Sequence, residues 1–360
     1  MNNLYGGLRE IGSNIPKLDL KDRRILAALC KNARAPLSSI AKDAGLSRDS
    51  VEYRINGYRK DGILGKEITV VRSQALGYAL TLHLYLKLNN PSQERERLLI
   101  GRICEMPSTI AAWKFFGAFD IEIAFIAKDP PHANSIISDM LSMAGGSVQD
   151  YELVIWAKNY LSGSFPKSFL KGLGDEGELL PRKQGYYFGG RNGSPLNFNP
   201  KRALEEYMPD RKDMAMLKVM GGDARIPLTE LAKKAGLSQS AARYRLKTLK
   251  ENLIVAFIPT LNYEALGYTI YALLLNVHLP GEDAAKRLQK FFYSNDHILW
   301  AIGAIGRFNV IAYVCCRKES ELQQTLNELR HEFHGSIKEY ELLHAVEEYK
   351  YTYTPDCLFE

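Results

Sequence analysis

The chain has 360 residues, 46% hydrophobic and 24% charged, ordinary proportions for a soluble globular protein of two to four domains. Its 47 basic and 41 acidic residues leave a net charge of +6, which suits a polyanionic partner without requiring one. Five cysteines (Cys30, Cys104, Cys315, Cys316 and Cys357) form no CxxC pair and read as reduced thiols of a cytoplasmic protein, and neither a signal peptide nor a membrane-spanning segment is expected.

Residues 1–17 read as an N-terminal arm. Asp19 to Cys30 then carries Leu20, Ile25, Leu26 and Leu29 at helical spacing. Pro36-Leu37-Ser38 opens a short helix with Ser38 as its expected N-cap, and Gly45 forms a turn. Ser47 caps a further helix over about 48–60, which Asp61-Gly62 ends. The period then changes. Strands are expected over 67–72, 78–88, 109–116, 120–127 and 148–156, with helices over 92–104 and 131–143, a βαββαβ pattern of the ferredoxin-like kind.

Residues 163–209 break every period with crowded glycine and proline and read as a linker, with Tyr186-Tyr187-Phe188 as a candidate pin onto a domain. No Gly-Lys-Ser/Thr ending accompanies those glycines, which argues against a phosphate loop. After the linker the chain repeats itself. Residues 33–55 and 224–246 share 12 of 23 positions at a constant offset of 191, including Ala33-Arg34 and Ala224-Arg225, far beyond chance. Strands over 268–277, around Gly306 and over 337–345, with helices over 283–293 and 320–333, complete a second βαββαβ segment.

The expected fold is therefore α+β: two winged-type helix-turn-helix domains (18–66 and 210–255), each followed by a ferredoxin-like domain (67–162 and 256–360). In a helix-turn-helix the second helix enters the DNA major groove and meets base edges near its N-terminus. Residues 47–62 carry four basic against three acidic groups; residues 238–253 carry four against one. Ser47, Arg48, Ser50, Arg54 and Arg59 in the first copy, with Ser238, Gln239, Ser240, Arg243, Arg245 and Lys247 in the second, form the candidate double-stranded DNA surface. Gln239 has the geometry to read adenine and Arg48 guanine. The repeated Tyr53 and Tyr244 are expected to pack in the core or at its rim. Arg54 and Arg245 divide between phosphate contact and bracing their own helix.

Leu18 to Leu26, Ala33-Arg34, Ile40-Ala41, Gly45-Leu46-Ser47 and Arg54-Ile55, repeated more loosely over Asp213 to Leu249, resemble the Lrp/AsnC (feast/famine) transcription regulators. The Leu76-Gly77 and Leu266-Gly267 steps into each βαββαβ segment resemble that family's ligand-binding and oligomerisation (RAM) domain. The resemblance implies sheet domains that pair to hold the heads apart and a small effector, such as an amino acid, bordered by a Gly-x-x-Asp turn. Gly117, Phe119 and Asp120 fit that turn. Gly306, Arg307 and Asn309 match it with Asn for Asp, which removes an ammonium-binding carboxylate. A duplicated chain is then expected to be a pseudo-dimer within itself and a homo-oligomer beyond, with no cofactor and no membrane association.

A competing reading is an enzyme resembling the siroheme decarboxylases, which share this two-domain arrangement and occur as fused copies. It requires His and Arg converging on a tetrapyrrole pocket. The strand segments Trp113-Lys114-Phe115-Phe116 and Trp300-Ala301-Ile302-Gly303 lack the His-x-Tyr-Asn-Leu-Trp type of segment expected there, and the seven histidines are scattered. His331 and His334 stand at i, i+3 without a third ligand nearby, so no metal site is expected. A third reading is a sensing or assembly module with vestigial heads.

Overall fold

The computed structural model describes residues 17–171, 173, 207–279 and 281–360. The arm residues 1–16 and the Tyr186-Tyr187-Phe188 pin lie outside them. The first head comprises α1 (Leu20–Lys31), α2 (Leu37–Ala44) and α3 (Arg48–Lys60). Asp19 and Asp22 form a capping box at the start of α1, each carboxylate accepting from the other's backbone N–H, which satisfies donors that a helix start leaves open. Ser47 caps α3 by accepting from the Ser50 N–H. The expected cap at Ser38 is corrected: α2 begins two residues earlier, at Leu37, with Pro36 in the cap position.

The sheet part of the first copy runs β1 (Leu64–Val71), β2 (Leu80–Leu88), α4 (Gln93–Glu105), β3 (Thr109–Phe116), β4 (Ile121–Ala127), α5 (Pro130–Ala144) and β5 (Val148–Ser162). Residues 163–171 and 173, expected as linker, instead pack into the head. The short helix α6 (Lys167–Leu170) and Phe165, Phe169 and Leu173 join the core around α1, and Arg23 donates to the Phe169 carbonyl. The second copy has α7 (Arg211–Gly222), α8 (Leu228–Lys234), α9 (Gln239–Asn252), β6 (Ile254–Leu261), β7 (Thr269–Val277), α10 (Gly281–Ser294), β8 (Ile298–Ile305), β9 (Val310–Cys316), α11 (Glu319–Glu332) and β10 (Ile337–Tyr351). Asp210 and Asp213 repeat the capping box on α7.

From β2 onward the two copies run in step: β7 starts at 269 where β2 starts at 80, and β10 at 337 where β5 starts at 148, a constant offset of 189. The eight strands close into one barrel in the order β10-β3-β4-β2-β5-β8-β9-β7. Both seams between copies depend on strand lengths greater than the periodicity indicated. β5 continues past Trp156 to pair Leu161 with Ala301, and β10 continues past Ala345 to pair Tyr351 with Ala111. Closure removes the open edges that a four-stranded sheet would otherwise expose. The sheet domains thus pair within one chain.

Alternation along each strand divides the core. On β2, Leu82, Leu84 and Leu86 pack beneath α4 and α5, while Tyr85 faces the barrel interior with Phe115, Val154, Ile302 and Leu343. A two-stranded ribbon, β1 with β6, joins the copies again. Each head rests on the other copy's sheet domain: the first on Leu266, Tyr268 and Ile270, the second on Val71, Tyr78 and Ile126. The repeated Ala-Arg pair explains how the heads meet. Arg34 donates to the carbonyls of Ala224 and Ile226, and Arg225 donates to those of Ala33 and Ala35. The Ala33 and Ala224 amides donate in turn to the Phe257 and Glu67 carbonyls. This reciprocal latch ties the two heads together about a pseudo-twofold axis.

Candidate functional site

The outer face of α9 presents Gln239, Ser240, Arg243 and Lys247 to solvent, and that of α3 presents Arg48, Asp49 and Glu52. Ser47 and Ser238 are exposed, with their hydroxyls engaged as helix caps, and Ser50 shares a 2.9 Å hydrogen bond with Ser47. Arg54 does not face outward. It pairs with Asp19 at 2.9 Å and with Asp22, and Tyr58 donates to the same Asp22 carboxylate. Arg245 repeats this on Asp210 and Asp213 at 2.8 and 2.9 Å, with Tyr207 donating to Asp213. These arginines brace the recognition helix against the first helix of each head, and their assignment to phosphate is corrected. Arg59 is also engaged, 2.6 Å from the buried Glu67.

The tyrosines correct in the opposite sense. Tyr53 and Tyr244, expected at the packed rim, are 81% and 73% exposed. A large aromatic so exposed on both recognition helices is available for apolar or hydroxyl contact with a groove.

The Gly-x-x-Asp turns are closed by the chain's own groups. The Asp120 carboxylate accepts from the Leu88 N–H at 2.7 Å and from Lys87. Asn309 performs the same task with both ends of its amide, accepting from the Val277 N–H and donating to the Val277 carbonyl. Phe119 and its counterpart Phe308 are buried, so Phe119 is corrected from effector surface to core. Arg307 pairs with Glu339. A Cβ on Gly117 would come 2.7 Å from Leu343 Cδ2, and one on Gly306 2.8 Å from the Leu153 carbonyl, because each turn seats against the other copy's long strand.

One interior site has no counterpart in the sequence motifs. At the barrel end beneath the β1–β6 ribbon lies a cavity of about 140 Å³. All three tryptophans of the chain, Trp113, Trp156 and Trp300, line it, with Trp156 and Trp300 edge to face at 5.5 Å. His83 Nδ1 lies 2.6 Å from Glu122 Oε1, and Tyr313 donates to the other oxygen of that carboxylate. His83 Nε2 and Glu348 Oε1 are buried with no hydrogen-bond partner among the described residues. Burial pushes the Glu348 carboxyl up to about 8 and the Tyr313 hydroxyl well above its ordinary value. The available signal was Glu122, a lone carboxylate in the otherwise apolar Ile121-Glu122-Ile123-Ala124-Phe125.

His331 and His334 are both exposed. A different trio, His297, Cys316 and Glu321, brings its donor atoms within 4.8 Å of one another. Burial raises the Cys316 thiol to about 12, which disfavours the thiolate a metal ligand requires.

Both heads, built in this way, match the AsnC-type helix-turn-helix domain, at residues 18–58 and 210–250. The chain is 32% identical over 105 residues to the HTH-type transcriptional regulator LrpA of Pyrococcus horikoshii, covering 26% of this chain and 74% of that protein. It is 26% identical over 128 residues to the HTH-type transcriptional regulator FL11 of Pyrococcus abyssi, covering 36% of this chain and 83% of that one. Each relative therefore corresponds to about one copy. Across nearly the whole chain, the fold is similar to the crystal structure of the siroheme decarboxylase NirDL. The TM-score is 0.58 at 14% identity, covering 92% of this chain and 93% of that one, a likeness of fold alone. The repeated head, the paired ferredoxin-like domains and these relatives together establish that the chain belongs to the Lrp/AsnC family, as a tandem duplication of its two-domain unit.

Proposed function

We propose that the chain is a sequence-specific, double-stranded DNA-binding transcription regulator that is not an enzyme, works in the cytoplasm, and applies two unequal heads to one DNA face. The observation that carries this reading is the outer face of α9, where Gln239, Ser240, Arg243, Tyr244 and Lys247 stand exposed. Asp210 and Asp213, carboxylates of the same head, are already paired with Arg245. The first head contributes less affinity because Asp49 and Glu52 share its outer face with Arg48. The Arg34/Arg225 latch holds both heads in one frame, so the second binds at high effective concentration. A small molecule held by the paired sheet domains modulates this binding. Exposed Phe116 and Ile305, equivalent positions beside the two turns, favour further assembly of chains there.

Fluorescence anisotropy on the chain's own upstream DNA tests the reading. Log affinity is expected to fall steeply with log salt. In Arg243→Ala/Lys247→Ala the slope should flatten by roughly one for each phosphate that no longer meets a cation. An unchanged slope in a folded variant would remove α9 from the interface.

The whole-chain likeness to a siroheme decarboxylase favours a second reading as an enzyme, with the interior cavity beside His83 as its candidate site. A substrate bearing carboxylates calls for cationic partners, and no Lys or Arg is among the described residues lining that cavity. Loading with an iron tetrapyrrole and recording the absorbance spectrum separates the two readings: a shifted Soret band supports the enzyme.

A further inference from the structure

The interior cavity is an asymmetric product of the duplication. Under the offset of 189, His83 corresponds to Ala272, Glu122 to Ile311, Trp113 to Ile302 and Trp156 to Ala345. From the other side, Trp300 corresponds to Ala111, Tyr313 to Ala124 and Glu348 to Asn159. Each copy has placed aromatic or ionisable groups where the other keeps small, aliphatic or neutral ones, and all of the former meet in one space.

The chemistry of that space is one-sided. Its lining includes Trp113, Trp156 and Trp300 with four tyrosines, aromatic rings whose faces carry negative quadrupoles that attract cations. Among the described residues, its only carboxylates are Glu122 and Glu348, and no Lys or Arg lines it. Two buried polar atoms of its lining lack a partner among the described residues. Glu348 Oε1 is buried without a partner. The His83 side chain is 93% buried, its Nδ1 lies 2.6 Å from Glu122 Oε1, and its Nε2 too lacks a partner among the described residues. An unmatched buried acceptor is costly, so the Glu348 oxygen calls for something that donates. The volume of about 140 Å³ is close to that of an engineered cavity that takes up benzene, about 150 Å³.

We propose that this cavity binds a small organic ammonium ion, of about the size of one substituted ring and carrying no carboxylate, whose N–H groups donate to Glu348 while its cationic end lies against the tryptophan faces. An amino acid fits poorly, since its carboxylate would enter an aromatic space with no cation to meet it. The inference rests on the regulatory reading only for its consequence, namely that such a cation is the effector. Binding itself is independent of DNA.

Proton linkage follows from the surroundings of Glu348. The ionisable groups facing the same space are Tyr351 and Tyr353 from β10 and its end, His83 on β2, Glu122 on β4, Tyr313 on β9 and Tyr263 after β6. None is a permanent cation. The empty site therefore keeps the Glu348 proton until about pH 8, and an entering ammonium ion displaces it. Affinity is expected to rise between pH 6 and about pH 8 and then level off.

Because every tryptophan lines the cavity, intrinsic fluorescence of the full chain, with no DNA present, reports occupancy. The probes are benzylammonium, the neutral isostere benzyl alcohol and the anion benzoate. Benzylammonium is expected to give a saturable change with the tightest binding of the three. Glu348→Gln, which keeps the side-chain shape, should bind it roughly ten- to a hundredfold more weakly. The proposal is overturned if benzoate or benzyl alcohol binds as tightly, if Glu348→Gln leaves affinity unchanged, or if folded wild-type chain gives no saturable response to benzylammonium. A chain that binds benzylammonium but no DNA would remove the regulatory reading and leave the site. A chain that binds DNA but no ammonium ion would do the reverse.

Discussion

In the two heads, the copies assign the same groups to the same tasks. Arg54 on Asp19 and Asp22 answers to Arg245 on Asp210 and Asp213, and Arg34 reaches across to the second copy as Arg225 reaches back to the first. Inside the barrel the copies part company, with His83 and Glu122 facing the space that Ala272 and Ile311 leave to aliphatic packing. In a symmetric homodimer any interior substitution appears twice, on both sides of the axis. A His–Glu pair introduced that way would bring its double into the same barrel. Fusion lifts that constraint. The parts that hold the frame have stayed alike, and the parts that line a space have been free to differ.

The largest test of the symmetric part is to remove its buried carboxylates one at a time. Asp22→Ala removes the acceptor of Tyr58 and leaves Arg54 with Asp19 alone, and Asp213→Ala removes the acceptor of Tyr207 and leaves Arg245 with Asp210 alone. Each is expected to cost about 3 kcal/mol in denaturant unfolding, the two agreeing within about 1 kcal/mol. A large cost in one head alone would break the equivalence.

The asymmetric part is probed by pH. The folded Glu348 carboxyl lies at about 8 against 4.5 for the free side chain, so the unfolded chain loses its proton first as pH rises. The contribution of Glu348 to stability is therefore greatest below about 4.5 and declines as pH climbs to about 8. Glu348→Gln should flatten this decline by a few kcal/mol, as judged by thermal unfolding across that range. Its counterpart Asn159 is already neutral, and Asn159→Ala should leave the pH profile unaltered.

A smaller difference is expected at the turns. Gly306 and Gly117 have φ of +154° and +149°, so alanine is strained at both. The new Cβ of Gly306→Ala meets the Leu153 backbone carbonyl, whereas that of Gly117→Ala first meets the end of the Leu343 side chain, which can shift. Calorimetry should find Gly306→Ala the more destabilising, by about 1 kcal/mol. Equal costs would mean that the two seams yield alike.

The smallest effects concern DNA. Arg243→Ala should lower the salt slope of binding by roughly one and Arg48→Ala by less, since Asp49 and Glu52 already offset the first head. Tyr244→Ala should weaken binding without changing the slope, because a tyrosine releases no counterion.

Much of this frame was legible in the residues. The repeat, the Gly45 and Ser47 punctuation and the strand alternation located both heads and both βαββαβ units. The β5 and β10 extensions were not legible, because Lys158-Asn159-Tyr160 and Glu347-Glu348-Tyr349-Lys350 carry no apolar alternation; their pairing comes from the other copy. The roles of Arg54 and Tyr53 were exchanged for a related reason. Their spacing on α3 fixes neighbouring directions, but only the position of α1 with its Asp22 decides which direction is inward. The cavity was hidden because its walls are single residues drawn from separate strands, and only barrel closure brings them together.

Hydroxyl-radical footprinting of the intact chain on its upstream DNA tests the central claim most directly. Two protected patches are expected on one face of the duplex, about one helical turn or a multiple apart, with Arg243→Ala/Lys247→Ala erasing one and Arg48→Ala weakening the other. A folded chain that protects no segment at low salt, or whose protection is indifferent to all three substitutions, would contradict it.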